Sequence, residues 1–182
     1  MMGKDVFTAT CRRLHWLVAV GFIVVSLVGL YMANTDTWYL YPWHKSAGIV
    51  LFSIIVLRVG WRLWCGWPAS VAHDRQAEQR LAKIVHWLLL IGTVLMPVTG
   101  MMYSGFSGHG FGVFGWQLVA ANPDPLELGQ VLPYSAYWST LSRLGHMMAG
   151  YTMLIAIVLH IAAALKHHFV DRDPTLLRML GR

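Results

Sequence analysis

Residues Leu144 to Leu165 read LGHMMAGYTMLIAIVLHIAAAL. The run is long and apolar enough to span a bilayer core, which takes ~20 such residues in a helix. Two histidines, His146 and His160, lie inside it. An ionisable residue inside a span is costly and points to function. The two are fourteen positions apart, which at the helical rise is ~21 Å, most of the hydrocarbon thickness. Fourteen is also two heptads, so both face one seam of a left-handed bundle. One helix thus offers an imidazole near each membrane surface, pointing inward. A facing histidine at matching depth would complete a site at each level.

Three more runs of this kind lie upstream, at 14–33, 46–64 and 84–103, with the last at 144–165. None alternates as a strand would, and each is far longer than a strand. Of the 182 residues 57% are hydrophobic and 12% charged, against ~25% charged in a soluble domain. The predicted fold class is therefore all-α: one integral membrane four-helix bundle, a single domain over 1–182.

The net charge of +6 does not indicate nucleic acid, because the basic residues are not clustered on a soluble face. They sort by side instead. Lys4, Arg12 and Arg13 precede the first run. Arg58, Arg62, Arg75, Arg80 and Lys83 surround the second connection, and Lys166, Arg172, Arg178 and Arg182 follow the last run. Only Lys45 and Arg143 of the 14 fall on the other side, with Asp36, Asp124 and Glu127. The positive-inside rule then puts both termini in the cytoplasm. Trp16, Trp43, Trp61, Trp64, Trp87 and Trp138 stand at run ends, as interfacial anchors do. The first run lacks a small-residue cleavage site and reads as a span rather than a signal peptide.

The third connection, 104–139, is long, glycine-rich and aromatic. Loops of this length are functional or disordered. Phe106, Phe111, Phe114 and Trp116 favour a packed cap over the outer end of the bundle, with a mobile loop as the bland alternative. Cys11 and Cys65 form no Cys-x-x-Cys-His, so covalent haem attachment is not indicated and free thiols are expected.

Orientation assigns the histidines a depth. His44 and His146 share the outer level, with loop His109 the other histidine on that side. His15, His86 and His160 share the inner level, and His73, His167 and His168 lie in connections or after the last run. Haem iron accepts an imidazole on each face of a flat macrocycle, and two such ligands must come from opposed helices. His44 with His146 and His15 with His160 meet that demand. His86 stays open: it could replace His15, bond a haem propionate or line a quinone site. Gly48, Gly145 and Gly150 near the outer pair would leave room for a ring. A helix-end histidine is by itself an ordinary interfacial residue; four in two depth-matched pairs are harder to read that way. Zinc favours tetrahedral clusters, and the outer pair offers no third ligand.

Arg13-Leu14-His15-Trp16, His44-Lys45-Ser46-x-Gly48, Leu57-Arg58, Trp61-Arg62-Leu63, His146, His160, Ala164-Leu165-Lys166-His167-His168-Phe169 and Asp173-x-Thr175-Leu176-x-Arg178-Met179 together resemble the bacterial cytochrome b561 family over essentially the whole chain. The resemblance implies a multi-pass protein of the bacterial inner (plasma) membrane with two haem b groups. It implies His15 and His160 as inner iron ligands, His44 and His146 as outer ones. It also implies electron traffic, as oxidoreductases of the respiratory chain, between a periplasmic donor and the quinone pool, ubiquinone included, with superoxide the donor in the best-defined members. The long loop matches none of the family's motifs.

Lys45 and Arg143 flank the outer pair and could steer a small anion or pair with haem propionates. His86 and His167 are candidates for a quinone, which needs donors at an apolar edge; positive-inside anchoring explains the basic residues around them equally well. Three functions are compatible with the pattern. One is a stand-alone superoxide:quinone oxidoreductase. Another is a non-enzymatic cytochrome b anchor passing electrons for a protein partner. The third is a metal or proton transporter, which the scarcity of Asp and Glu in the spans disfavours.

Overall fold

The computed structural model describes residues 8–35, 37–66 and 76–181. Lys4, Asp36, His73, Arg75 and Arg182 lie outside the described residues. Four long helices dominate: α1 (Ala9–Thr35), α2 (Tyr41–Cys65), α3 (Gln76–Phe106) and α4 (Ala136–Phe169). All four are long and apolar enough to cross a membrane. Each outruns its apolar stretch, because the polar flanks continue as helix until a capping signal ends it. Pro42 sits in the first turn of α2, where its missing N–H costs no hydrogen bond. Gly66 closes the same helix at φ 79°. The side chain of Ser135 caps α4 by accepting from the Trp138 amide.

Helix α1 packs on α2 and α3 on α4, whereas α1 and α4 touch little. The bundle is thus two helical hairpins with a seam between them. Its dry core consists of Val18 and Phe22 of α1, Leu51 and Ile55 of α2, and Met153 of α4. Glycines let the backbones approach, as is usual where lipid gives no hydrophobic drive to helix association. A Cβ on Gly92 of α3 would lie 2.1 Å from the Met153 sulfur, and one on Gly21 of α1 would lie 2.9 Å from Leu51 Cδ1.

The fold is not purely helical. The third connection is shorter than the sequence suggested, because α3 runs to Phe106 and α4 begins at Ala136. Between them lies an antiparallel hairpin, β1 (Phe111–Val113) with β2 (Trp116–Val119). Its two-residue turn has Phe114 at φ 45° and Gly115 at φ 96°, the two positive angles that match the strand twist. The hairpin is stitched to the start of α2. Lys45 Nζ donates to the Gly110 carbonyl (3.0 Å) and Ser46 Oγ to that of Gly112 (3.3 Å), while the Phe114 amide donates back to Ser46 Oγ (3.0 Å). Trp43 and Phe114 rings lie 5.7 Å apart. The hairpin is thus docked on the start of α2, but of the four aromatics expected to pack it only Phe106 and Phe111 are part-buried, while Phe114 and Trp116 are exposed. A further turn of helix, α5 (Thr175–Leu180), folds under the opposite end, where Trp16 Nε1 donates to the Met179 carbonyl (3.0 Å).

Candidate functional site

Each long helix carries a heptad triplet along the seam. Helix α1 has His15, Phe22 and Gly29; α2, running the other way, has Arg58, Leu51 and His44; α3 has His86, Thr93 and Gly100; α4 has His160, Met153 and His146. Seven residues advance a helix by ~10 Å, so the triplets stack as three layers. In the middle layer Phe22, Leu51, Thr93 and Met153 are all buried. The layer toward the hairpin holds His44 and His146; the layer toward the chain termini holds His15, Arg58, His86 and His160.

In the hairpin-end layer the rings of His44 and His146 stand 6.3 Å apart, centre to centre, at 83° to one another. In the terminus-end layer His15 and His160 stand 6.4 Å apart at 64°. Two imidazoles on opposite sides of one metal ion, each with its nitrogen at ~2.0–2.1 Å and a ring radius set by ordinary C–N bonds, have centres about 6.4 Å apart. Both pairs meet that spacing. Free rotation about the nitrogen–metal–nitrogen axis accommodates either interplanar angle. His86 lies 5.3 Å from His160 at 68°, short of the spacing of two opposed ligands, and makes direct edge-to-face contact with it. Among the described residues no cluster of three or more His, Cys, Asp or Glu could hold a metal.

The ring orientations have local causes. His146 Nδ1 donates to the Met96 carbonyl (2.9 Å) and lies 3.3 Å from Thr99 Oγ1. That bond holds the proton on Nδ1 and leaves Nε2 a lone pair, the tautomer a metal needs. Pro97 sits within α3 beside this carbonyl and removes one N–H from the local ladder. His44 Nδ1 is buried without a hydrogen bond of good geometry, its backbone neighbour being Val25. Both rings rest on glycine: a Cβ on Gly29 would meet His44 Cε1 at 2.9 Å, and one on Gly100 would meet His146 Cε1 at 2.9 Å. Gly48 faces open space, while Gly145 and Gly150 meet Thr99 and Met96. The ring-accommodating glycines thus lie on the partner helices, and the heptad spacing from His15 to Gly29 and from His86 to Gly100 is the signal that finds them.

The remaining candidates fall as follows. Lys45 is tethered to the hairpin beside His44. Arg143 is exposed, one turn beyond His146. His109 bonds Ser107 (2.9 Å) and makes no ring contact with His44 or His146; burial, then the Lys45 charge, pushes its pKa down. His167 pairs with Asp171 (3.0 Å), which also takes Lys166 (3.0 Å), itself 3.4 Å from Glu78. The Lys166 hydrogen bond holds the Asp171 carboxyl below its usual range. His167 is therefore part of the polar cluster closing α4. Arg58, read from the sequence as a charge of the second connection and part of the Leu57-Arg58 motif, places Nη2 3.1 Å from His15 Nδ1. Cys11 and Cys65 are free thiols.

A sequence model of the prokaryotic cytochrome b561 family matches residues 6–182. The chain is similar to cytochrome b561 homolog 2 of Escherichia coli (strain K12), 31% identical over 173 residues, 92% of this chain and 87% of that protein. It is also similar to cytochrome b561 homolog 1 of the same organism, 27% identical with 97% of each chain covered. Probable superoxide oxidase CybB of Yersinia pestis is 26% identical over 93% of this chain and 92% of its own. The match runs through all four spans rather than through one motif, and on that ground the chain belongs to the prokaryotic cytochrome b561 family, multi-pass membrane cytochromes whose cofactor is haem b.

Proposed function

We propose that this chain holds two haem b groups and carries electrons between a one-electron donor at the hairpin end and the quinone pool. His44 and His146 would hold one haem, His15 and His160 the other. The observation that carries this reading is the pair of ring separations, 6.3 and 6.4 Å, set two heptads apart along α4. Bound in such a site between two imidazoles, haem would supply a one-electron iron couple, which suits electron transfer. The Met96 carbonyl fixes the His146 tautomer, and Gly29 and Gly100 keep both hairpin-end rings clear of a Cβ.

The charge distribution supports cytoplasmic termini and a periplasmic hairpin, in the bacterial inner membrane. Lys45 and Arg143 then form a cationic rim at the donor end, fit to steer a small anion or to pair with a haem carboxylate. Superoxide suits that rim: giving up one electron, it leaves as dioxygen. Two such electrons with two protons convert a quinone, ubiquinone in this reading, to its quinol. The printed name of the Yersinia relative, probable superoxide oxidase, supports the same donor. His86, edge-on to His160, is the better-placed candidate for a quinone contact, since His167 is engaged by Asp171.

The test is an optical spectrum of detergent-purified protein, oxidised and dithionite-reduced, with haem counted per chain. A sharp b-type band at about two haems per chain is expected from two axial pairs. Superoxide-driven quinone reduction by the isolated chain would follow. Colourless protein from haem-replete cells overturns the reading, and activity only with a co-purifying large subunit replaces it with that of an anchor.

A further inference from the structure

We propose that Arg58 is a carboxylate receptor in the terminus-end layer, and that the carboxylate it takes is a haem propionate. This rests on the reading of His15 and His160 as one ligand pair.

Arg58 occupies on α2 the heptad position that His44 occupies two turns-of-seven earlier, so it faces the seam rather than lipid. It is a guanidinium inside a membrane span, where a charge without a counter-ion is strongly unfavourable. No carboxylate pairs with it among the described residues. The polar contact it makes is His15 Nδ1 at 3.1 Å, which engages one of five N–H donors.

That contact conflicts with the proposed role of His15. A guanidinium only donates, so Nδ1 must accept, and the imidazole proton then sits on Nε2. A histidine that gives Nε2 to a metal carries its proton on Nδ1, which would set donor against donor at 3.1 Å. His146 shows the other arrangement, with Nδ1 donating to a carbonyl. When His15 acts as a ligand, Arg58 therefore needs a different acceptor within reach of the same layer. The haem carries two carboxylates, and the planar fork of arginine matches a carboxylate with two parallel hydrogen bonds. The hairpin-end layer has no such cation on its seam: the positions flanking its two histidines are Gly29 and Gly100. The receptor is thus specific to the terminus-end haem.

The experiment compares the purified holoprotein with Arg58→Met and Arg58→Lys, following the redox midpoint and the rate of haem loss to a scavenger for each haem. In Arg58→Met the terminus-end haem should become about tenfold harder to reduce at equilibrium, ~59 mV for one electron, and be lost about tenfold faster. The hairpin-end haem should be unchanged and reports that the bundle is assembled. Arg58→Lys should restore most of the midpoint. Independently of any variant, the wild-type terminus-end site should release haem dimethyl ester about tenfold faster than haem. Equal release of haem and ester, or Arg58→Met with both haems unshifted, overturns the proposal. His160→Ala separates the two readings: if it loses one haem while Arg58→Met changes nothing, only the receptor fails. If it keeps both, the ligand pair fails and the receptor with it.

Discussion

Gly100→Ala tests the architecture of the hairpin-end site with one methyl group. The new Cβ would stand 2.9 Å from His146 Cε1 and 3.2 Å from Nδ1. Ordinary carbon contacts lie at ~3.5–4.0 Å, so the ring must retreat by roughly 0.6–1 Å. It is not free to do so, because its Nδ1 is bonded to the Met96 carbonyl on the same helix as the new methyl. Moving away breaks that bond and carries the ring out of register with His44. Overpacking of this kind costs ~1–3 kcal/mol, and the lost hydrogen bond adds about 1 kcal/mol. Haem affinity at this level should fall by roughly one to three powers of ten. The assay is haem per chain and the reduced spectrum after dilution into a haem scavenger. Gly100→Ala should retain the terminus-end haem and lose the other. Gly29→Ala, 2.9 Å from His44 Cε1, should behave likewise, and Gly48→Ala, with nothing within 4 Å, should behave as wild type. If Gly100→Ala and Gly48→Ala both keep two haems with equal retention, the glycine-backed site is wrong.

Four further outcomes follow from the same geometry. His160→Ala should halve the haem content, whereas His86→Ala should retain both haems, since the 5.3 Å contact of His86 is a packing contact; loss of a haem from His86→Ala alone would reassign the ligand. Ser46→Ala removes a hydroxyl that accepts from Phe114 and donates to Gly112, worth about 1 kcal/mol, so amide exchange across 111–119 should quicken roughly fivefold. Because burial and the Lys45 charge push His109 below 6.5, the folded loop binds fewer protons than the unfolded chain. Its stabilisation is complete above pH 6.5 and declines as pH falls from there toward the lowered value; protection of the 107–110 amides, corrected for the intrinsic pH dependence of exchange, should fall below pH 6.5 and be flat above it. Gly92→Ala forces a methyl to within 2.1 Å of the Met153 sulfur and should destabilise the bundle by ~1–3 kcal/mol, seen as earlier thermal loss of both haems together.

The spans and the histidine pairs were legible because each rests on a one-dimensional signal. Bilayer thickness sets the length of an apolar run, and the fourteen-residue step from His146 to His160 fixes two depths on one face. The same rule, applied to all four helices, would also have found Gly29, Gly100 and Arg58, each fourteen residues from a seam histidine. The hairpin was not legible. Its strands are three and four residues long, too short for alternation to register, and its attachment uses Lys45 and Ser46, which are 65 to 68 residues away in the chain. His167 looked like a free donor because its partner Asp171 belongs to the turn after α4, which no periodicity marks.

The middle layer determines what the two ends can do. Phe22, Leu51 and Met153 contribute no titratable group, and Thr93 Oγ1 is engaged by the Leu90 carbonyl (2.9 Å). Among the described residues, these four side chains thus offer no titratable group to the layer. At two heptads, the two histidine pairs lie ~21 Å apart along α4, most of the thickness of a bilayer core. Close packing across the layer is what holds them in register: Met153 is seven residues from both His146 and His160 and is 2% exposed, seated against Gly92. Displacing it would shift both levels at once. The terminus-end layer differs in kind, since Arg58 and His86 replace the glycines that back the hairpin-end rings. In the proposed di-haem reading, one end would then take a macrocycle alone, and the other a macrocycle with a cation and a third imidazole beside it. That asymmetry, and not the ligand pairs the ends share, is where a chemical difference between donor side and acceptor side can reside.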